Sequence, residues 1–244
     1  MDKIGVCCPG GSRAVIYARE ILTQNGFYVT ERPDLHTQHL LLPVPSFPAA
    51  NGFISDILDT LSKDVLISGG NLDNRFYGYR TVDFLEDPYY LAQNAAITAS
   101  CAIKILKDKG STPLKGAKVL VVGWGRIGKC LSRLLEKEEA DITIAARKAS
   151  DRAMISALDC HPITVDDAAE KSMQYDIIIN TVPAMVLPNI STRAECTILE
   201  LASQAGISGA DIIDGRGLPN KIAPAESGEL IAQTFLRLSY GKEL

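Results

Sequence analysis

The stretch Lys118-Val119-Leu120-Val121-Val122-Gly123-Trp124-Gly125-Arg126-Ile127-Gly128-Lys129 decides the fold. Its first five residues read as a buried strand, and the pattern that follows Gly125 reads as an amphipathic helix over Arg126–Glu138. Between strand and helix the glycines fall in the spacing G-x-G-x-x-G. That spacing alone is weak, because glycines recur by chance; the strand before it and the helix after it supply the context that gives it meaning. Gly123 permits the tight turn, Gly125 leaves room for backbone to approach a pyrophosphate, and Gly128 lets the helix pack closely on the strand. Amide groups at the helix start, aided by the helix dipole, then hold phosphates. The expected cofactor-binding residues here are Gly123, Trp124, Gly125, Arg126, Ile127 and Gly128.

The next strand, Asp141–Ala145, sets the choice of cofactor. A site that prefers NAD usually carries Asp or Glu at its end, accepting from the ribose hydroxyls. Here the chain reads Ala145-Ala146-Arg147-Lys148, with no carboxylate before Asp151. A missing acid removes repulsion from a 2′-phosphate, and Arg147 can clamp that phosphate with two parallel hydrogen bonds while Lys148 or Arg152 adds charge. The reading is therefore NADP(H), with NAD(H) second. A third segment, Asp176-Ile177-Ile178-Ile179-Asn180-Thr181-Val182-Pro183, is a buried strand ending in a small polar turn. Such a turn lies beside the cofactor in a doubly wound sheet. Thr181, Val182 and Pro183 join the cofactor set, with Val182-Pro183 expected beside the nicotinamide ribose and Asn180 expected to cap backbone.

Elsewhere, short β-branched runs alternate with helical patterns, the signature of parallel sheets covered by helices. The first half offers strands Lys3–Cys8, Phe27–Glu31, His39–Pro43 and Asp64–Ser68, with helices near Ser12–Asn25 and Phe53–Ser62. Thr81-Val82-Asp83-Phe84-Leu85 is a further strand candidate. Asp87-Pro88 opens a long helical pattern from about Tyr89 to Lys109, Pro88 suiting its first turn. The second half adds a helix near Ser150–Leu158, strands Thr197–Leu201 and Asp211–Asp214, and a last helix from about Ala223 to Leu238. The fold class is α/β, in two domains. Residues 1–91 form a smaller flavodoxin-like or Rossmann-like domain, joined by a returning helix within 223–244, and residues 92–222 form the Rossmann-type NAD(P)-binding domain. Two α/β domains joined by such helices leave a cleft between them, a common ligand site.

With 244 residues, 46% hydrophobic and 22% charged, the chain has the composition of an ordinary globular protein. A net charge of -4 and scattered Lys and Arg argue against a nucleic-acid partner. The N-terminal apolar run is too short for a signal peptide, and none approaches the roughly 18 residues of a membrane span. Cys7, Cys8, Cys101, Cys130, Cys160 and Cys196 lack metal-ligand or redox spacing and read as buried, reduced thiols of a cytoplasmic protein.

Taken with these segments, the chain resembles the dipicolinate synthase A-subunit family of spore-forming bacteria. The resemblance rests on Val119–Gly128, Ala145-Ala146-Arg147, Ile178-Asn180-Thr181-Val182-Pro183, Ile198-Leu199-Glu200-Leu201-Ala202-Ser203, Gly217-Leu218-Pro219 and Ile222-Ala223-Pro224. In the first half, Leu41-Leu42-Pro43-Val44 and Val65-Leu66-Ile67-Ser68-Gly69 echo it. It implies a two-domain dehydrogenase-like protein of sporulation. Such a protein would use a nicotinamide cofactor on a small dicarboxylate, such as a dihydrodipicolinate-type compound, beside a flavoprotein-like B-subunit partner. Assembly as a homo-oligomer is compatible with this. The chain departs from the family pattern at Gln93-Asn94-Ala95-Ala96-Ile97, where an acidic residue is missing, and at Ser203-Gln204-Ala205-Gly206-Ile207, where an Arg is missing. An alternative reading follows, a non-catalytic NADP(H)-binding partner or sensor that has kept the Rossmann domain.

Hydride transfer needs orientation and a proton donor more than a covalent nucleophile. The three histidines, His36, His39 and His161, do not supply one where a 2-hydroxyacid dehydrogenase carries its acid–base group, and His161-Pro162 reads as a β-edge turn. Candidates for chemistry are Asn94 and Thr98 on the connecting helix, Ser203 (with Gln204) after a strand, and Arg216 in Asp214-Gly215-Arg216-Gly217. A guanidinium there suits a substrate carboxylate, and an ion pair with Asp214 suits it equally. Ser46 and Asn51, after Pro43-Val44-Pro45, are candidates to face the cofactor from the first domain. Glu200, within an apolar strand, needs a partner if buried.

Overall fold

A computed structural model describes residues 3–46 and 52–241, so the expectation for Asn51 lies outside the described residues. In chain order the elements are β1 (Gly5–Cys7), α1 (Arg13–Gln24), β2 (Tyr28–Thr30), β3 (Thr37–Leu41), α2 (Gly52–Thr60), β4 (Leu66–Gly69), β5 (Arg80–Asp83) and α3 (Pro88–Lys109). Then come β6 (Lys118–Val122), α4 (Arg126–Lys137), β7 (Asp141–Ala145), α5 (Ala149–Ala157), β8 (His161–Ile163), α6 (Val165–Glu170), β9 (Ile177–Asn180) and β10 (Thr197–Glu200). β11 (Ile213–Asp214), α7 (Leu218–Ile222) and α8 (Pro224–Tyr240) complete the chain. It divides into two compact units, the division falling inside α3 after Asn94 and inside α7 before Pro219. No helix among the described residues is long and apolar enough to cross a membrane.

The first unit holds a parallel five-stranded sheet in the order β2-β1-β3-β4-β5, the doubly wound flavodoxin-like order. Cys7, Leu40 and Ile67 on its strands, with Leu42 just past β3, pack with Ile54 and Ile57 of α2. α1 starts where Ser12 accepts from the Val15 amide, and α3 starts where Asp87 accepts from the Tyr90 amide, with Pro88 in the first helical position. α8 returns to this unit and lies directly on α1. A Cβ added at Gly228 would stand 2.5 Å from the Ala14 carbonyl oxygen and 2.5 Å from Tyr17 Cβ, so only a bare backbone fits there. At its far end Tyr240 hydrogen-bonds His39 Nε2, and Arg237 pairs with Asp87.

The second unit holds a parallel six-stranded sheet in the order β11-β10-β9-β6-β7-β8. Counted within the unit this is 3-2-1-4-5-6 read from the other edge, the Rossmann order. Its switch point, where the chain reverses its direction of winding, lies between β6 and β9. Leu120, Val122, Ile178 and Ile198 fill one face.

Several expectations change. His161-Pro162-Ile163 is the edge strand β8, paired with β7 through Pro162 opposite Ile144, and not a turn. An edge strand tolerates a residue without an amide hydrogen. α6 is an additional helix, begun by Thr164 and Asp167 in a reciprocal capping box. The strand expected over 81–85 ends at Asp83, whose carboxylate turns the chain by accepting from the Leu85 amide. All six cysteines are free, but Cys130, Cys160 and Cys196 are only half-buried. Burial pushes the Cys7 and Cys196 thiols up to about 11, which leaves them protonated and unreactive at neutral pH.

Candidate functional site

The switch point brings three loops of the second unit to the carboxyl end of its sheet, following β6, β7 and β9. The first is the glycine loop. Gly123 has φ +106°, and a Cβ there would stand 2.5 Å from Thr181 Oγ1 and 2.8 Å from Val182 Cγ2. A left-handed turn pressed on a neighbouring loop leaves glycine as the residue that fits. At Gly128 a Cβ would approach the Gly123 carbonyl oxygen to 2.1 Å, so the first turn of α4 packs against the loop that leads into it. Gly125 differs from both. A Cβ there meets nothing within 4 Å, and its φ of -80° is open to any residue. Gly125 is exposed, and it caps α4 with no side-chain hydrogen bond to the first amides of the helix.

Cations stand at the starts of both helices at this end, with one acid, Asp151, in the first turn of α5. α4 has no acidic residue in its first turn and begins with exposed Arg126. Lys148 occupies the cap position of α5, again without a side-chain bond to the helix amides. Arg126 opposes the α4 dipole with no acid in the first turn to offset it, so an anion at that helix start is favoured; at α5 Asp151 already offsets Lys148. Trp124 is half-buried, with the Lys129 ammonium 5.7 Å from its ring centre, beside a cavity of about 500 Å³ that Arg133, Met154 and Leu158 also line.

After β7, Ala146 is buried and its amide donates to the Ile163 carbonyl at 3.0 Å. Arg147 is exposed, and no hydrogen bond or ion pair holds its guanidinium among the described residues. Arg152 stands differently from expectation. Its Nη1 donates to the carbonyl oxygens of Ala146 at 2.8 Å and Arg147 at 2.7 Å. It shapes the turn that carries Arg147.

After β9, Thr181 Oγ1 and the Thr181 amide both donate to the Val122 carbonyl, at 2.8 and 3.0 Å, tying this turn to the strand before the glycine loop. Asn180 closes an Asx-type turn, its Oδ1 accepting from the Val182 amide and its Nδ2 donating to the Val182 carbonyl. Glu200 ends β10 only 4% exposed, and both oxygens of its carboxylate are hydrogen-bonded. It accepts from Asn180 Nδ2 at 2.8 Å, the Ala202 amide at 3.0 Å and the Gly206 amide at 2.8 Å. Sequence reasoning marks Asn180 and Glu200 separately and misses the link between them.

The candidates for chemistry lie on different elements of the chain. Asn94 belongs to the first unit, while Thr98, one turn further along α3 and buried, belongs to the second. Ser203 is exposed in the loop after β10. Arg216, after β11, makes a two-pronged pair with Asp214, Nε to Oδ1 at 2.8 Å and Nη2 to Oδ2 at 2.9 Å. In the first unit, Ser46 Oγ donates to the Asn71 carbonyl at 3.1 Å.

Fold and loops together define an α/β protein of two units whose second sheet has the Rossmann order. Within that class the chain is similar to the A-subunit of dipicolinate synthase. It is 29% identical over 156 residues to that protein of Bacillus subtilis, a match covering 59% of this chain and 52% of the relative. The matched stretch thus spans about half the length of the relative. The crystal structure of the dipicolinate synthase A-subunit from Bacillus halodurans superposes with a TM-score of 0.82 at 19% identity, covering 98% of each chain. Its counterpart from Bacillus subtilis gives 0.79 at 22% identity, over 99% of this chain and 97% of that one. A transhydrogenase from Sinorhizobium meliloti shares the fold at 0.69 and 16% identity, over 93% and 83%. No family model matches the chain.

Proposed function

We propose that this chain is an NADP(H)-dependent oxidoreductase of the dipicolinate synthase A-subunit kind, acting on a small dicarboxylate such as a dihydrodipicolinate-type compound. The observation that carries the reading is the unfilled space above Gly125, faced by uncapped amides at the start of α4. That is the shape and polarity a diphosphate needs. The residues that would hold the cofactor are Gly123, Trp124, Gly125, Arg126, Ile127 and Gly128 at the diphosphate. Ala146, Arg147 and Lys148 would hold the adenosine ribose and its 2′-phosphate, and Thr181, Val182 and Pro183 the nicotinamide ribose. Trp124 contributes backbone, since its ring lies with Lys129. Arg152 acts one step back, by fixing the Arg147 backbone. When bound, the cofactor supplies or accepts a hydride. The chain orients it through the turn at Thr181–Pro183 and excludes water from its ribose with Val182.

Sequence similarity to one component of dipicolinate synthase supports a dicarboxylate substrate and a B-subunit partner. The chain carries one tryptophan, and it sits in the proposed site, so quenching of its emission reports binding. The test is an NADPH titration followed by NADPH oxidation with dihydrodipicolinate-type substrates, with and without that partner. Binding with turnover supports the oxidoreductase. Binding without turnover under every condition favours the second reading, a nucleotide-binding partner or sensor. One observation speaks for that alternative: both prongs of the Arg216 guanidinium are taken by Asp214.

A further inference from the structure

Asn180 and Glu200 sit directly opposite each other across the parallel pair β9–β10, each the last residue of its strand. Both are buried, at 0% and 4% exposure. A carboxylate in such a place is costly unless every lone pair facing protein finds a donor. Here three donors converge on it: the Asn180 amide, the Ala202 amide and the Gly206 amide. Two of them belong to the loop after β10, and the third belongs to the residue that shapes the turn after β9.

The Asn180 amide faces two ways. Nδ2 donates to Glu200 at 2.8 Å and to the Val182 carbonyl at 3.0 Å, while Oδ1 accepts from the Val182 amide at 3.0 Å. The carboxylate therefore fixes which end of the amide points at β10, and through that fixes the peptide groups on either side of Val182. Val182 in turn abuts the glycine loop: its Cγ2 is one of the two atoms that a Cβ at Gly123 would strike. An unbroken chain of contacts runs from Gly206 through Glu200, Asn180 and Val182 to Gly123.

We propose that Glu200 is a positioning residue, acting through Asn180 to hold the Val182–Pro183 turn in register for the nicotinamide half of the cofactor. The inference rests on the cofactor reading given above. It separates the two halves of the ligand. Arg147 and its supporting Arg152 belong to the turn after β7, which the Glu200 contacts do not reach. Loss of the carboxylate disturbs the nicotinamide side and spares the adenosine side. A residue that merely stabilised the sheet would weaken both halves alike.

The experiment is calorimetric titration of the full chain with NADPH and with 2′,5′-ADP, an adenosine-side fragment without the nicotinamide, alongside thermal melts. The variant is Glu200→Gln. In Glu200→Gln an amide replaces one acceptor oxygen and faces the donors of Asn180 and the loop. NADPH is expected to bind at least about tenfold more weakly, or about 1.4 kcal/mol, and the fragment within about twofold of wild type. Equal weakening of both ligands or unchanged NADPH affinity overturns the proposal. Should Glu200→Gln not fold, Glu200→Asp keeps the charge but shortens the reach. It is held to the same pattern, with equal weakening again counting against the proposal. Failure of the wild-type chain to bind NADPH overturns the cofactor reading itself, whereas wild-type binding with the wrong variant pattern overturns only the role of Glu200.

Discussion

Arg152 Nη1 donates to the backbone carbonyl of Arg147 at 2.7 Å, so one cation builds the turn that carries another. The same nitrogen holds the Ala146 carbonyl. The two arginines therefore have different work: Arg152 fixes backbone, and Arg147 keeps its guanidinium available.

This division predicts different outcomes for their removal. Wild type should prefer NADPH to NADH by at least about 1 kcal/mol, the scale of a charge-assisted hydrogen bond. Arg147→Ala should lose most of that preference with an unchanged melting temperature. Arg152→Ala should lose preference and also some stability, about 1 kcal/mol in chemical denaturation, because two carbonyls lose a donor. A wild type that prefers NADH removes Arg147 from the site.

The glycines of the loop divide in the same way. Gly123→Ala forces a side chain into a left-handed backbone beside Thr181, and Gly128→Ala drives a methyl into the Gly123 carbonyl. Each should cost about 1–3 kcal/mol in unfolding. If both melt like wild type, the close packing of α4 on the loop is wrong.

A pH response should arise in the first unit. Burial first, and then the Arg80 cation, hold His39 down at about 4, against an ordinary value of 6.5. Its Nε2 is hydrogen-bonded to Tyr240, and its Nδ1 is buried without a partner among the described residues. The unfolded chain takes up the proton first as pH falls. The stability that neutral His39 provides is whole above about pH 6.5, declines below it, and is gone once the pH has passed through about 4. Denaturant midpoints between pH 7 and pH 4 should fall less steeply in His39→Phe than in wild type. Parallel curves would remove His39 as the source.

Helix α8 depends on Gly228. With only 2.5 Å to the Ala14 carbonyl oxygen and to Tyr17 Cβ, Gly228→Ala must separate α8 from α1. The expected loss is about 1–3 kcal/mol by chemical denaturation, small-to-large changes at tight contacts having that scale. Unchanged stability would mean that the two helices have room to spare.

Much of this arrangement is legible in the residues, because its signals are local. β6, β7 and α4 announce themselves through an aliphatic run, a glycine turn and a helical period, and the sequence places them within a residue or so of the structure. The acid missing after β7 is likewise a local fact. What stays hidden depends on register and on distant partners. Nothing near Asn180 says that the parallel pairing of β9 with β10 sets it opposite Glu200. Arg152 reads as a free cation until the turn folds back beneath it. β8 is three residues long and contains Pro162, so no alternation of apolar and polar residues exists to find. α6 carries a readable signal all the same, since Thr164-Val165-Asp166-Asp167 spells out its capping box.

Gly125 is the loop glycine whose backbone any residue can adopt and at which an added Cβ would meet no protein atom within 4 Å. Gly125→Thr should fold and melt as wild type does, since threonine and glycine serve about equally at a helix N-cap, while its side chain fills the space assigned to the diphosphate. Calorimetric titration of NADPH into both proteins tests this. The predicted result is measurable binding by wild type and at least about a tenfold loss, about 1.4 kcal/mol, in the variant at equal melting temperature. Equal affinity in the two, or none in wild type, would contradict a dinucleotide lodged on this loop.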